Sequence, residues 1–171
     1  MVLRKINAQK GKNSYQCEVN IDAPIQKVYE AIAENVRDWW TRDYETELAK
    51  IETKFTVRFG ETFAIMQNEE LTPYKKIVWK CIEQHHVNET LSKTDEWNNT
   101  KITFELKDNE SGTKLNFLHD GLTPNLECFE ICQNGWDYYI KTSLKNYIET
   151  GNGYPYKSGE DEAKKILSGS V

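Results

Sequence analysis

The stretch Asn125 to Thr150, NLECFEICQNGWDYYIKTSLKNYIET, decides the fold. Phe129, Trp136, Tyr139 and Tyr147 recur at spacings that gather them on one face of a long helix, and Gly151 follows as a natural left-handed cap. Strand-patterned hairpins precede this helix, and only one short helix precedes the hairpins. A long helix laid across a curved antiparallel sheet leaves a hollow between them. The order of elements therefore predicts a container.

Upstream of the helix, Thr113 to Asp120 alternates Leu115, Phe117 and His119 with Lys114, Asn116 and Leu118. Ile102, Phe104 and Leu106 alternate in the same way, and Asp108 to Gly112 supplies turn residues between the two runs. Asn88 to Asn99 reads as a polar loop apart from Trp97. Lys76 to His86 is a long strand with Ile77, Trp79 and Cys81 on one face, so Glu83 and His85 share that face unless a bulge shifts the register by one residue. Thr62 to Glu70 and Phe55 to Phe59 form a further hairpin around Gly60, with Pro73 ending the return strand. At the start of the chain, Ser14 to Ile21 is a strand. A helix follows to about Glu34, with Asp22 as its capping residue and Pro24 in its first turn. Val36 to Tyr44, holding Trp39 and Trp40, reads as a second helical turn or lid. Segregated helices and hairpin-linked strands predict an α+β fold with an antiparallel sheet of about six to seven strands.

The 171 residues suit one domain, expected over 14–156, with an N-terminal extension (1–13) and a polar C-terminal tail (157–171) that holds at most a brief helical turn at Glu160 to Leu167. The net charge of -5 and the scattering of Lys and Arg among acids give no basic stripe, so nucleic acid is not an expected partner. No apolar run approaches the roughly 20 residues of a membrane span, and Met1 to Ser14 is polar. A cytoplasmic address is expected by default. Cys17, Cys81, Cys128 and Cys132 occupy apolar positions and read as buried free thiols. Cys128 and Cys132 stand one helical turn apart, a spacing that can hold a soft metal. The sequence brings no histidine or further cysteine beside them, so no metal is expected. Phosphate loops, dinucleotide fingerprints and serine elbows are absent, and no cofactor is expected.

Several stretches resemble the START-like helix-grip (SRPBCC) superfamily, and within it the branch called activator of heat-shock protein 90 ATPase homologue-like. They are the Val19 to Ile32 junction with Asp22-Ala23-Pro24, the Trp39-Trp40-Thr41 run, Ile77-Val78-Trp79, and Leu118-His119-Asp120-Gly121-Leu122. Gly135-Trp136, followed by Leu144, Tyr147, Ile148, Gly151 and Gly153, completes the series. The resemblance implies a curved sheet wrapped around the terminal helix, with an internal cavity near the short helices. It implies binding of hydrophobic or amphipathic small molecules, and some relatives are cyclases or hydrolases. It transfers no catalytic residue. The branch's co-chaperone activity belongs to proteins with an additional N-terminal domain, for which this chain is expected to have no room.

The cavity face of the terminal helix is expected to show Phe129, Cys132, Trp136, Tyr139, Ser143 and Tyr147; of these Cys132, Trp136, Tyr139 and Ser143 are the expected ligand contacts, facing Trp79, Phe104, Phe117 and His119 from the sheet and Trp39 and Trp40 from the lid. The plainer reading of that line is core packing, since aromatic stripes at helical spacing commonly pack against a sheet. Glu83, His85, His119 and Tyr139 are the candidate proton donors and acceptors of a cyclase- or hydrolase-type site. Against this stands a role as strand-end groups that bond neighbouring loops. Glu83, His85 and His119 also resemble a metal triad in type, but nothing in their spacing makes them converge. Of Trp39 and Trp40, one is expected to plug the core and the other to be exposed, gating the mouth or meeting a protein partner. The leading expectation is a binder of a hydrophobic or aromatic small molecule. A cyclase or hydrolase and a chaperone-associated interaction module are the alternatives, and a homodimer is compatible with each.

Overall fold

The computed structural model describes residues 13–45 and 53–158. The expected N-terminal extension up to residue 12 and the helical turn at 160–167 lie outside the described residues. The chain forms β1 (Tyr15–Ile21), α1 (Ile25–Glu34), α2 (Val36–Trp39), β2 (Tyr44–Glu45), β3 (Lys54–Phe59), β4 (Thr62–Thr72), β5 (Lys76–His85), β6 (Lys101–Asn109) and β7 (Gly112–Asp120). A terminal helix follows in three parts: α3 (Phe129–Trp136), a π-helical segment π1 (Asp137–Leu144) and α4 (Lys145–Thr150). The seven strands make one sheet in the order β1-β7-β6-β5-β4-β3-β2, with every pairing antiparallel. This is the α+β helix-grip arrangement.

Alternation sets which face of the sheet turns inward. Phe55 and Val57 of β3, Ala64 and Met66 of β4, Ile102, Phe104 and Leu106 of β6, and Leu115, Phe117 and His119 of β7 are all buried, while their neighbours along each strand are wetter. Across the β6–β7 pair, Phe104 stands opposite Phe117 and Ile102 opposite His119, so aromatic and branched side chains meet directly. Gly112, at φ +141°, ends the hairpin where an added Cβ would lie 2.2 Å from the Ile21 carbonyl oxygen, a place only glycine fits.

The helices depart from expectation in three places. Asp22 does not cap α1: Pro24 occupies the cap position without a side-chain bond, and the Asp22 amide instead donates to Glu149 Oε1 at 2.9 Å. The terminal helix begins at Phe129 and not at Asn125, because Leu126 and Phe129 donate to carbonyls three residues back in successive turns. Its start is satisfied from outside, since Glu96 of the 88–99 loop accepts from the amides of Glu127 and Cys128 at 3.2 and 3.0 Å. Finally, the segment Asp137–Leu144 is π-helical. The wider i→i+5 winding rotates later residues relative to an α-helix, so Ile140, Leu144 and Ile148 are fully buried while Tyr147 drifts to half-buried. Gly151 then caps the helix at φ +87°.

The trough between sheet and helix is filled. Trp39 and Trp40 lie parallel with centroids 5.9 Å apart, and Trp40 and Trp79 do the same at 5.8 Å. Trp136 meets Trp40 at 5.1 Å and Phe117 at 4.7 Å. Phe104 closes the set against Trp79 at 4.8 Å. Neither Trp39 nor Trp40 is exposed, at 0% and 2% of their surface. The expectation of one exposed tryptophan is therefore corrected: α2 is too short to lift either indole off the sheet, and both seat on the aromatic layer. The Trp39 indole N–H is satisfied by the Ala31 carbonyl at 2.9 Å. Where an open interior chamber was expected, the aromatic layer fills the trough among the described residues and a cleft remains at its edge.

Candidate functional site

That edge is a half-open cleft where β4 and β5 approach the terminal helix and the loop carrying Trp97. Its volume is about 50 Å³. Trp40, Phe59, Trp97, Trp136 and Tyr139 supply aromatic walls, Ala64 the floor, and Thr62, Gln84, His86 and Cys132 the polar or polarisable atoms.

A bulge decides which side chains reach it. Met66 pairs with Cys81 but Ile65 pairs with Glu83, so Ile82 is an extra residue in β5. Up to Cys81 the alternation runs as the sequence predicts, and beyond it every side chain changes face. Glu83 and His85 turn out to solvent, and Gln84 and His86 turn inward and are buried. The expectation that Glu83 and His85 face the cavity is thereby corrected by the one-residue shift. His85 instead lies beside Phe63, with ring centroids 5.8 Å apart.

The inward pair anchors the 88–99 loop. Gln84 Oε1 accepts from the Trp97 amide at 2.9 Å, and the Gln84 amide donates to Asn98 Oδ1 at 2.7 Å. The His86 amide donates to the Thr94 carbonyl at 2.7 Å. Trp97 is thus held over the helix, parallel to Trp136 at 5.6 Å, with its indole N–H aimed at Cys132 Sγ at 3.3 Å.

His119 is sealed behind Trp136 at 0% exposure. The Trp136 indole can only donate, and it does so to His119 Nδ1 at 3.0 Å. The proton therefore sits on Nε2, 2.8 Å from Thr100 Oγ1, whose own hydrogen goes to the Trp97 carbonyl at 2.6 Å. Burial pushes the His119 pKa down to about 3. This imidazole is neutral, with both ring nitrogens engaged, and it braces the two indoles.

Ser143 likewise faces no cleft. Its hydroxyl donates to the Trp39 carbonyl at 2.6 Å and accepts from the Tyr154 amide at 2.7 Å, tying α2 and the 151–158 segment to the helix. Of the ten expected ligand contacts, Trp40, Cys132, Trp136 and Tyr139 line the cleft. Trp39, Trp79, Phe104, Phe117, His119 and Ser143 belong to the packing around it. The four expected proton-transfer candidates do not converge, since among them only Tyr139 reaches the cleft.

Three side chains missed as a group come together at the cleft's inner end. The ligand atoms of His86, Cys128 and Cys132 all lie within 4.8 Å of one another, and all three residues are buried. The expectation that no histidine approaches the two cysteines is corrected here, because the bulge turns His86 toward the first turn of α3. The Cys132 thiol, and then His86, hydrogen-bond Cys128 and hold its pKa down at about 6. Bonding to Cys128, reinforced by burial, drives Cys132 well above the ordinary thiol value. The sequence signal for this cluster was only the one-turn cysteine spacing; its histidine is visible only with the bulge.

Comparison with known proteins places these features in a family. Residues 22–149 match the family described as Activator of Hsp90 ATPase homolog 1-like protein. Among curated protein sequences none matches the chain. In structure the chain is similar to the Aha1 dimer from Colwellia psychrerythraea, with TM-score 0.67 and 23% identity over 82% of this chain and 98% of that one. It is also similar to DynU16, a protein of the dynemicin biosynthetic locus, with TM-score 0.62 and 16% identity over 82% and 49% of the two chains. CalU16 from Micromonospora echinospora matches with TM-score 0.55 and 18% identity over 90% and 81%. These identities speak for the shared helix-grip fold. No helix among the described residues is long and apolar enough to cross a membrane. The family match spans both short helices, strands β2 to β7 and nearly all of the terminal helix, and the chain belongs to the Activator of Hsp90 ATPase homolog 1-like family.

Proposed function

We propose that this chain binds a hydrophobic or aromatic small molecule at the cleft between β4, β5 and the terminal helix. The observation that carries the reading is the make-up of the walls: Trp40, Phe59, Trp97, Trp136 and Tyr139 all line one opening, with Thr62, Gln84 and His86 among its few polar groups. Such a lining favours flat apolar guests fixed by one or two hydrogen bonds. The empty volume of about 50 Å³ takes only the leading edge of such a guest, since an engineered benzene-binding cavity measures about 150 Å³. Fuller entry requires an aromatic wall to swing. Trp97 is the wall to swing, because it is carried by the 88–99 loop while Trp136 is built into a helix, and its movement breaks the indole contact to Cys132 Sγ. The place of DynU16 in a natural-product locus agrees with a small-molecule role for this architecture. The free thiols suit a reducing compartment such as the cytoplasm.

Titration with naphthalene-sulfonate and polycyclic aromatic probes, followed by tryptophan fluorescence, tests the proposal. One saturable site per chain is expected, and Ala64→Leu, which fills the floor, should abolish it while the protein still melts cooperatively. Absence of saturable binding, or binding indifferent to Ala64→Leu, overturns the reading. The dimeric state of the Colwellia neighbour motivates light scattering on the same samples, with a dimer as the expected mass.

A further inference from the structure

We infer that His86, Cys128 and Cys132 form a binding site for a thiophilic d10 metal ion, Zn²⁺ or Cu⁺, with one coordination position left open toward the cleft. The three donor atoms already lie within 4.8 Å of one another. Metal–sulfur and metal–nitrogen bonds of about 2.3 and 2.0 Å imply ligand–ligand separations of roughly 3.5–3.8 Å, so a contraction of about 1 Å completes the shell.

Three further observations point to an ion. His86 Nδ1 is buried without a hydrogen-bond partner, on a residue only 6% exposed. An orphaned ring nitrogen in such a place is costly, and a metal held through Nδ1 would supply the partner it lacks. The Trp97 indole N–H donates to Cys132 Sγ at 3.3 Å. That is the outer contact a metal-bound thiolate takes, since its sulfur keeps acceptor capacity after coordination. Charge also balances: two thiolates and a neutral imidazole cancel Zn²⁺, so the loaded site carries no net charge into a buried position.

The donor set selects the metal class. Sulfur and imidazole suit Zn²⁺ and Cu⁺, whereas Mg²⁺ and Ca²⁺ require oxygen ligands. No fourth His, Cys, Asp or Glu joins the group among the described residues. His86 and Cys132 both line the cleft, so the remaining position opens to water or to a donor atom of an incoming molecule. Three protein ligands with an open fourth position is the pattern of reactive zinc sites and not of purely structural ones. The metal site shares His86 and Cys132 with the cleft, but it does not depend on the organic-ligand reading, and each is tested without the other's ligand.

The experiment is anaerobic titration of reduced, metal-stripped protein with Co²⁺ as a spectroscopic substitute, followed by displacement with Zn²⁺. The expected result is one equivalent per chain, a thiolate-to-cobalt charge-transfer band, and the intense visible bands of a tetrahedral ion. Competition against a chromogenic Cu⁺ chelator then separates a zinc site from a copper(I) site. His86→Ala and Cys132→Ser should each weaken binding by at least about tenfold, the scale set by changes around metal ligands, and Cys17→Ser should leave it unchanged. The charge-transfer band of the unaltered protein reports thiolate ligation even if a variant fails to fold. A missing band, affinity unaltered in both ligand variants, or a Cys128–Cys132 pair that proves to be a disulfide and binds no Co²⁺ after reduction would each overturn the inference.

Discussion

Acidification from pH 7 to pH 5 should destabilise this protein mainly through His119. In the folded state its Nδ1 must stay unprotonated to accept from the Trp136 indole at 3.0 Å, and burial holds its pKa near 3 against 6.5 in an exposed chain. The unfolded state therefore takes up a proton below about pH 6.5 while the folded state refuses it until about pH 3. Stability is full above the higher value and falls steadily between the two. Integrating proton uptake over that window gives a loss of about 2 kcal/mol at pH 5. With a urea slope of about 2 kcal/mol per molar, the unfolding midpoint should move down by about 1 M without a change of slope. His119→Gln supplies the control. It lowers stability at pH 7 by removing the brace, but its midpoint should shift between pH 7 and pH 5 by much less than that of the parent. Titration of the carboxylates and of Cys128, whose lowered pKa of about 6 also falls in this window, is common to both proteins and cancels in the comparison. If the glutamine variant loses as much as the parent over this interval, His119 is not the buried neutral imidazole described here.

Other consequences are measurable with the same equipment. Trp136→Ala removes an indole that touches Trp40, Trp97, Phe117 and His119, and calorimetry should show a loss of about 3–5 kcal/mol. Ser143→Ala strips partners from the Trp39 carbonyl and the Tyr154 amide together; a loss of about 2–4 kcal/mol is expected by urea titration, and a neutral result would show that water replaces the hydroxyl. Glu83→Gln and His85→Ala point to solvent, so each should change stability by less than about 0.5 kcal/mol and leave probe titrations unaltered; loss of binding in either would contradict the bulge. Gly153→Ala places a Cβ 2.1 Å from the Asp38 carbonyl oxygen, and thermal melting should fall by several degrees as the segment returning past α2 is displaced.

Much of the architecture could be read directly because period-two alternation and turn residues act locally. Phe55-Val57, Ile102-Phe104-Leu106 and Leu115-Phe117-His119 each announce a strand with one dry face, and Gly151 announces the end of the helix through its freedom at positive φ. The aromatic line of the terminal helix was legible too, though its phase was not. No residue type marks Asp137–Leu144 for π-helical winding, so regular α-helical spacing puts Tyr147 and Ser143 on a face that the wider turn carries away from the cleft. The hollow was misjudged for a different reason. Sequence shows that large rings face inward but not whether they meet, and five indoles occupy enough volume to close a trough that aliphatic side chains would leave open.

The β5 bulge has the widest effect of any single feature, because it works on both sites at once. Without the extra Ile82, Glu83 and His85 would face the helix and Gln84 and His86 the solvent. The carboxylate would then enter an apolar, aromatic environment with no cation beside it, at the heavy cost of burying an unpaired charge. With the bulge, the inward places go to a neutral side-chain amide, whose oxygen accepts from the Trp97 amide, and to an imidazole, which can be uncharged. Gln84 then fastens the loop that presents Trp97, and His86 arrives beside Cys128 and Cys132. The aromatic cleft and the sulfur–nitrogen cluster at its inner end thus follow from the same inserted residue, which exchanges a charge that the interior would reject for two groups that it can hold.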